Sequence, residues 1–114
     1  MIRLPRISEI IKVEPFKVTC RWTTAEVLVV DFENLFQKWQ LNDNDLEYPL
    51  TDFDTFKYVS VSEQHTLQWV NLPISHSFFD EDGTKKLVKN PLSIDPDILY
   101  KASLPIEHFK LVLV

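Results

Sequence analysis

Asp43, Asp45 and Glu47 stand at alternate positions in a stretch that carries no basic residue from Asn42 to Asp54. That spacing resembles the opening of a calcium-binding loop, in which a glycine at the sixth position makes the sharp bend and a bidentate glutamate closes the cage at the twelfth. Here those positions are Tyr48 and Asp54, so the bend and the closing ligand are both missing. The stretch reads as a solvated connection. Asp80, Glu81 and Asp82 are a second carboxylate cluster, but they precede Gly83 and read as the tip of a turn. His65, His76 and His108 lack the HxxxH or HxH spacing that would bring two imidazoles onto one metal. Cys20 is the single cysteine; it excludes an internal disulfide, and no His or Asn stands next to it to activate a thiolate. With Gly83 as the one glycine, the chain cannot build a phosphate-cradling loop or a dinucleotide fingerprint, and it has no GxSxG. No catalytic, cofactor-binding or metal-binding residue is therefore assigned. The chain is expected to be non-enzymatic and to work without a cofactor.

The elements around these residues read as an α+β fold: an antiparallel sheet of β-hairpins, one main helix packed on one face and a second, short helix near the C-terminus. Ile7–Val13 alternates as a first strand. Phe16, Val18, Cys20 and Trp22 recur every second position and share one face of a second strand. Glu26–Val30 pairs with it across Thr23-Thr24-Ala25. Phe32, Leu35, Phe36 and Trp39 then fall at i, i+3, i+4 and i+7, one stripe of a helix that runs to Leu41 with Asp31 as its cap. Leu50, Phe53 and Phe56 predict a helical turn around Asp52. Phe56–Ser62 and Thr66–Val70 predict a second hairpin across Ser62-Glu63-Gln64-His65. Ser77–Phe79 and Thr84–Val88 predict a third, broken by Asn90-Pro91. Asp95 at the cap and Pro96 at the first helical position start the short helix, which Pro105 ends. The tail His108–Val114 is β-prone, with Lys110 its one charged residue. Left bare it would be a sticky edge, so Phe109, Leu111, Val112, Leu113 and Val114 are the candidate contact with a partner or a second copy.

The 114 residues, 45% of them hydrophobic, suit a single domain, 1–114, that folds without staples. Seventeen acidic against twelve basic side chains give a net charge of −5. A nucleic-acid binder needs a basic stripe to neutralise phosphates. Here the densest cluster is Lys85, Lys86 and Lys89, so direct nucleic-acid binding is disfavoured. No apolar run approaches the roughly 20 residues that span a bilayer, and a cytoplasmic address is expected.

The order of motifs carries a family resemblance. A Pro-bounded strand pair leads through Val30-Asp31-Phe32 into the helix. Leu50-Thr-Asp52-Phe-Asp-Thr-Phe56, Val59-x-Val61 and Trp69 follow, and then Asp95-Pro-Asp97-x-Leu99-Tyr100. Over about residues 7–103 this resembles the small bacterial domain-of-unknown-function 2442 family. The resemblance implies a compact α+β domain with a helix on one side of an antiparallel sheet. It also implies a protein found alone, fused to a helix-turn-helix, or encoded beside another small protein as toxin–antitoxin pairs are. It brings no catalytic residue. The chain departs from the pattern at Thr24-Ala25, where relatives carry an Asp-Gly-like turn, and at 73–90, which reads as an insertion. No fused helix-turn-helix is expected.

The leading expectation is thus a protein-interaction module, the antidote or regulatory half of a two-protein system, bound to a neighbouring gene product or to itself. The alternatives are a ligand-binding or enzymatic domain, with Trp22, Trp39, Tyr58 and Trp69 lining a fold-built pocket, and a DNA-associated regulator. Function is to be sought around Gly83 or in the tail.

Overall fold

Residues 4–109 are described by a computed structural model. Strands β1 (Ile7–Glu14) and β2 (Lys17–Trp22) pair antiparallel across the two-residue turn Pro15-Phe16. Proline presets the first central position, and Phe16 takes the left-handed conformation, φ 61°, that the second requires. Phe16 is therefore a turn residue and not the first member of the β2 face, as its spacing from Val18 suggested. Its ring instead packs edge-on against Phe36, Phe53 and Phe56, with centroids 5.9, 6.3 and 5.5 Å away.

Strand β3 (Val27–Asp31) pairs with β2 so that Cys20 lies between Ile10 and Leu28, and Val18 between Val13 and Val30. These residues form one apolar face; Glu9, Lys12, Lys17, Thr19 and Arg21 take the other. Helix α1 (Phe32–Trp39) follows directly. Asp31 Oδ1 accepts the N–H of Asn34 at 3.3 Å, as its cap role predicted, and Gln40 at φ 51° ends the helix just short of Leu41.

A 3₁₀ turn (Tyr48–Thr51) leads to α2 (Phe53–Phe56), capped by Asp52, which accepts the Asp54 N–H at 3.1 Å. The expected strand over Phe56–Ser62 shrinks to β4 (Ser60–Val61), because Phe56 and Lys57 close the helical turn begun at Asp52. A second sheet, in the order β4-β5-β6, contains β5 (Leu67–Phe79) and β6 (Lys85–Ser93). Helix α3 (Pro96–Lys101) is capped by Asp95, whose Oδ1 accepts the Asp97 N–H at 2.8 Å. The chain then re-enters the first sheet as β7 (Ser103–Pro105), giving the order β1-β2-β3-β7, and ends in α4 (Ile106–Phe109).

The fold is thus α+β, with antiparallel sheets of four and three strands and short helices. One core draws on both sheets. Phe32, at the start of α1, presses its ring edge-on against Phe56 at 5.1 Å and Trp69 at 5.8 Å. The Ile7 N–H donates to the His65 carbonyl at 2.9 Å and joins the sheets along the backbone.

Three hairpin loops repeat one geometry. Trp22 N–H donates to Glu26 O at 2.8 Å, Ser62 to Thr66 at 2.8 Å and Asp80 to Thr84 at 3.0 Å. In each, the third loop residue is left-handed: Ala25 at φ 72°, His65 at 60° and Gly83 at 77°. This is the three-residue hairpin that favours glycine at its last position. Only Gly83 follows the preference.

Candidate functional site

Adjacent residues of a strand point to opposite faces, so Phe78-Phe79 cannot bury both rings against one core. The structure leaves both bare. From Pro73 opposite Pro91 to Phe79 opposite Lys85, β5 and β6 pair in unbroken register and project as a two-stranded arm about 20 Å long. The radius of gyration is 16.1 Å, against about 13 Å for a compact chain of this length, in keeping with a projecting arm. Residues 73–90, expected to be an insertion, lie in this arm, and the pairing does not break at Asn90-Pro91. Directly opposed prolines fit an antiparallel ladder where N–H groups would point away from the partner strand, so neither prevents the pairing.

One face of the arm carries Phe79 and Leu87, 72% and 74% exposed, with Lys85 and Lys89 beside them. The other carries Ile74, His76, Phe78, Val88 and Lys86. The strands of the arm hold three lysines and no acid, and the turn acids Asp80, Glu81 and Asp82 offset them, so the net −5 falls on the body. Because the lysines are divided between faces, they make no single basic stripe. Asp80 is turn scaffolding: its Oδ1 accepts the N–H groups of Asp82 at 3.0 Å and Thr84 at 2.9 Å.

The outer face of the four-stranded sheet carries a depression of about 830 Å³. Thr19 and Val29 floor it, and Lys12, Glu14, Lys17, Asp31, His108 and Phe109 rim it. Lys17 Nζ lies 3.4 Å from Glu33 Oε1 and 5.7 Å from the Phe109 ring centroid. Lys12 Nζ lies 3.7 Å from Glu14. Of the five tail candidates only Phe109 is described. It is half-buried at the end of α4, so His108 and Phe109 are helical and not part of a strand; Leu111, Val112, Leu113 and Val114 lie outside the described residues.

The remaining chemically capable groups are structural. Cys20 faces the core, where burial pushes its thiol up to about 12 and withholds the thiolate. Glu26 Oε1 accepts from Thr24 Oγ1 at 2.7 Å and Tyr100 Oη at 2.8 Å. Those two donors hold the Glu26 carboxyl below its ordinary value, and the bond to Glu26 raises the Tyr100 phenol. The trio ties the β2–β3 loop to α3. Trp22 and Trp69 are core residues, Trp39 packs against Phe36 with ring centroids 6.3 Å apart, and Tyr58 is exposed with Lys57 over its ring. The four therefore do not line a common pocket. Among the described residues no three His, Cys, Asp or Glu side chains gather as metal ligands, and no helix is long and apolar enough to cross a membrane.

No family model, curated protein or solved structure matches the chain. The family resemblance stands on its motifs alone.

Proposed function

We propose that this chain is a non-enzymatic protein-interaction module that makes its contact through the β5–β6 arm. In the arrangement its family resemblance suggests, it would be the antidote or regulatory half of a two-protein, toxin–antitoxin-like pair. The observation that carries the reading is the arm face of Phe79 and Leu87. A solvated pair of large apolar side chains on a projecting ribbon gains free energy when a partner covers it, roughly 1.5–3 kcal/mol for each fully buried side chain. Lysines beside the pair favour a partner with acidic groups around an apolar patch.

Co-expression with the protein encoded beside it, followed by pull-down, tests the reading. Capture is expected with the wild-type chain and lost in Phe79→Ser/Leu87→Ser. Capture that survives this change but is lost when Leu111–Val114 are removed would move the contact to the tail. No capture by the wild-type chain would sink the reading.

A second reading, a small-ligand site, has the 830 Å³ depression in its favour, since Val29, Ile106 and Phe109 give an apolar lining beside the charged groups of Lys12, Glu14, Lys17 and Asp31, which suits a small amphipathic molecule. Saturable chemical-shift changes confined to Thr19, Val29 and Ile106 on adding a medium-chain fatty acid would support it. No shift at millimolar ligand would remove it for that class.

A further inference from the structure

We infer that the second face of the arm, bearing Ile74, His76, Phe78 and Val88, binds the same face of a second copy of this chain, antiparallel about a two-fold axis. The inference rests on the arm being a contact surface, as proposed above, and names the occupant of the face which that reading leaves open.

The register fixes the face. His76 stands opposite Val88, Phe78 opposite Lys86 and Ile74 opposite Asn90, so these side chains project together and away from Phe79 and Leu87. Phe78 is 47% exposed and Val88 37%. At the base of this face a cleft of about 550 Å³ opens between the arm and the acidic connection. Leu46, Glu47, Ile74 and His76 are among its lining residues. Leu46, 55% exposed, is an apolar side chain with nothing over it among the described residues.

Charge supplies the direction. Lys86 lies near the tip, with one acidic contact, Asp80 at 3.8 Å. Glu47 lines the cleft at the base, in a stretch without a basic residue. Within one chain the two ends are separated by most of the arm, about 20 Å and well beyond the Debye length of roughly 8 Å in physiological salt. A two-fold axis through the middle of the arm brings them together. Each tip then covers the partner's base, so that Phe78 enters the cleft against Leu46, Lys86 meets Glu47 and Val88, opposite His76 at the middle of the arm, packs at the axis, with every contact made twice as an isologous interface requires. A tip-to-tip arrangement would instead oppose lysine to lysine. The contact is placed face to face, where the exposed apolar side chains lie, and the Pro73–Pro91 rung, with no N–H on either edge, disfavours an added strand next to the body. The arm also gains what a two-stranded ribbon lacks, a second layer to pack upon.

Sedimentation equilibrium over a concentration series tests this. The wild-type chain is expected at about twice its 13.4 kDa mass. Phe78→Ser/Val88→Ser is expected to raise the dissociation constant roughly 10-fold or more, while Phe79→Ser/Leu87→Ser leaves it unchanged. Lys86→Glu and Glu47→Lys should each weaken the dimer, and the two together should restore it. A wild-type chain that stays monomeric, or a dimer indifferent to Phe78→Ser/Val88→Ser, overturns the inference. Charge reversals that fail to rescue each other overturn the tip-to-base arrangement, even if the serine variant misfolds. A monomer that still captures the neighbouring protein through Phe79 and Leu87 sinks the second copy and leaves the arm as a contact surface.

Discussion

The indole N–H of Trp69 donates to the backbone carbonyl of Phe56 at 2.9 Å, tying the start of β5 to the end of α2 inside the core. Trp22 is buried as deeply, yet its indole N–H has no partner among the described residues. Replacing each by phenylalanine separates packing from hydrogen bonding. Trp69→Phe strands a buried carbonyl; Trp22→Phe removes a donor that was already unsatisfied. Trp69→Phe is expected to cost about 1–2 kcal/mol more than Trp22→Phe, measured by urea unfolding. Equal losses would show that the Trp22 N–H is satisfied in solution.

The repeated hairpin loop gives an internal comparison. Holding an L-residue left-handed costs roughly 1–2 kcal/mol, and glycine avoids that at an entropic cost of about 0.5–1. Ala25→Gly and His65→Gly should therefore each stabilise the fold by about 0.5 kcal/mol. Gly83→Ala runs the other way: a Cβ there meets nothing within 4 Å, so its cost is backbone strain alone. The loss should appear as faster amide exchange confined to the arm. Phe16→Gly should destabilise despite relieving the same strain, because three ring contacts go with the side chain.

Cys20 makes stability fall in alkali. Burial raises its thiol from 9.0 to about 12, so between those values the unfolded chain ionises while the folded chain keeps its proton. The contribution is whole below pH 9 and is lost as pH climbs toward 12, by roughly 1 kcal/mol per pH unit in that window. Urea midpoints at pH 8 and 10.5 should separate wild type from Cys20→Ala by this slope. A thiol reagent at pH 8 should label Cys20 only as fast as the chain unfolds.

Glu26 has the opposite sign. Its depressed carboxyl contributes stability above the unfolded value, and the contribution is lost as pH falls through the folded one. Tyr100→Phe removes one of its two donors. The Glu26 carboxylate, followed by NMR titration, should shift upward toward the ordinary range while the fold persists. An unchanged titration would mean that Thr24 alone sets it.

The sequence was most legible where local chemistry decides structure. Asp31 and Asp95 cap the helices they were expected to cap, and Asp52, expected only within a helical turn, caps α2 as well, since a side chain bonding a backbone two or three residues on needs no tertiary help. The limits of β2 were equally plain. Apolar periodicity misled where it ran through a turn: Phe16 keeps step with Val18 and Cys20, yet Pro15 fixes it at a corner. Phe56 and Val59 read as strand because their side chains are apolar, but the Asp52 cap wins. Strand β7, three residues long, exists only because β3 offers an edge, and nothing local announces it. The arm residues were visible as a hairpin around Gly83. That the hairpin stands free of the body follows from the tertiary fold, and Phe78-Phe79 was the one local hint.

Pro73 and Pro91 have a consequence for how large an assembly can become. A ribbon with two open edges is a template on which copies can stack without limit, and its growth toward fibrils is hindered where the edge withholds donors or carries charge. The opposed prolines withhold one on each side at the same rung, next to the core. Association through the faces closes upon itself after two chains; association through the edges would not. The two residues that looked like the end of a hairpin thus favour a counted oligomer over a filament.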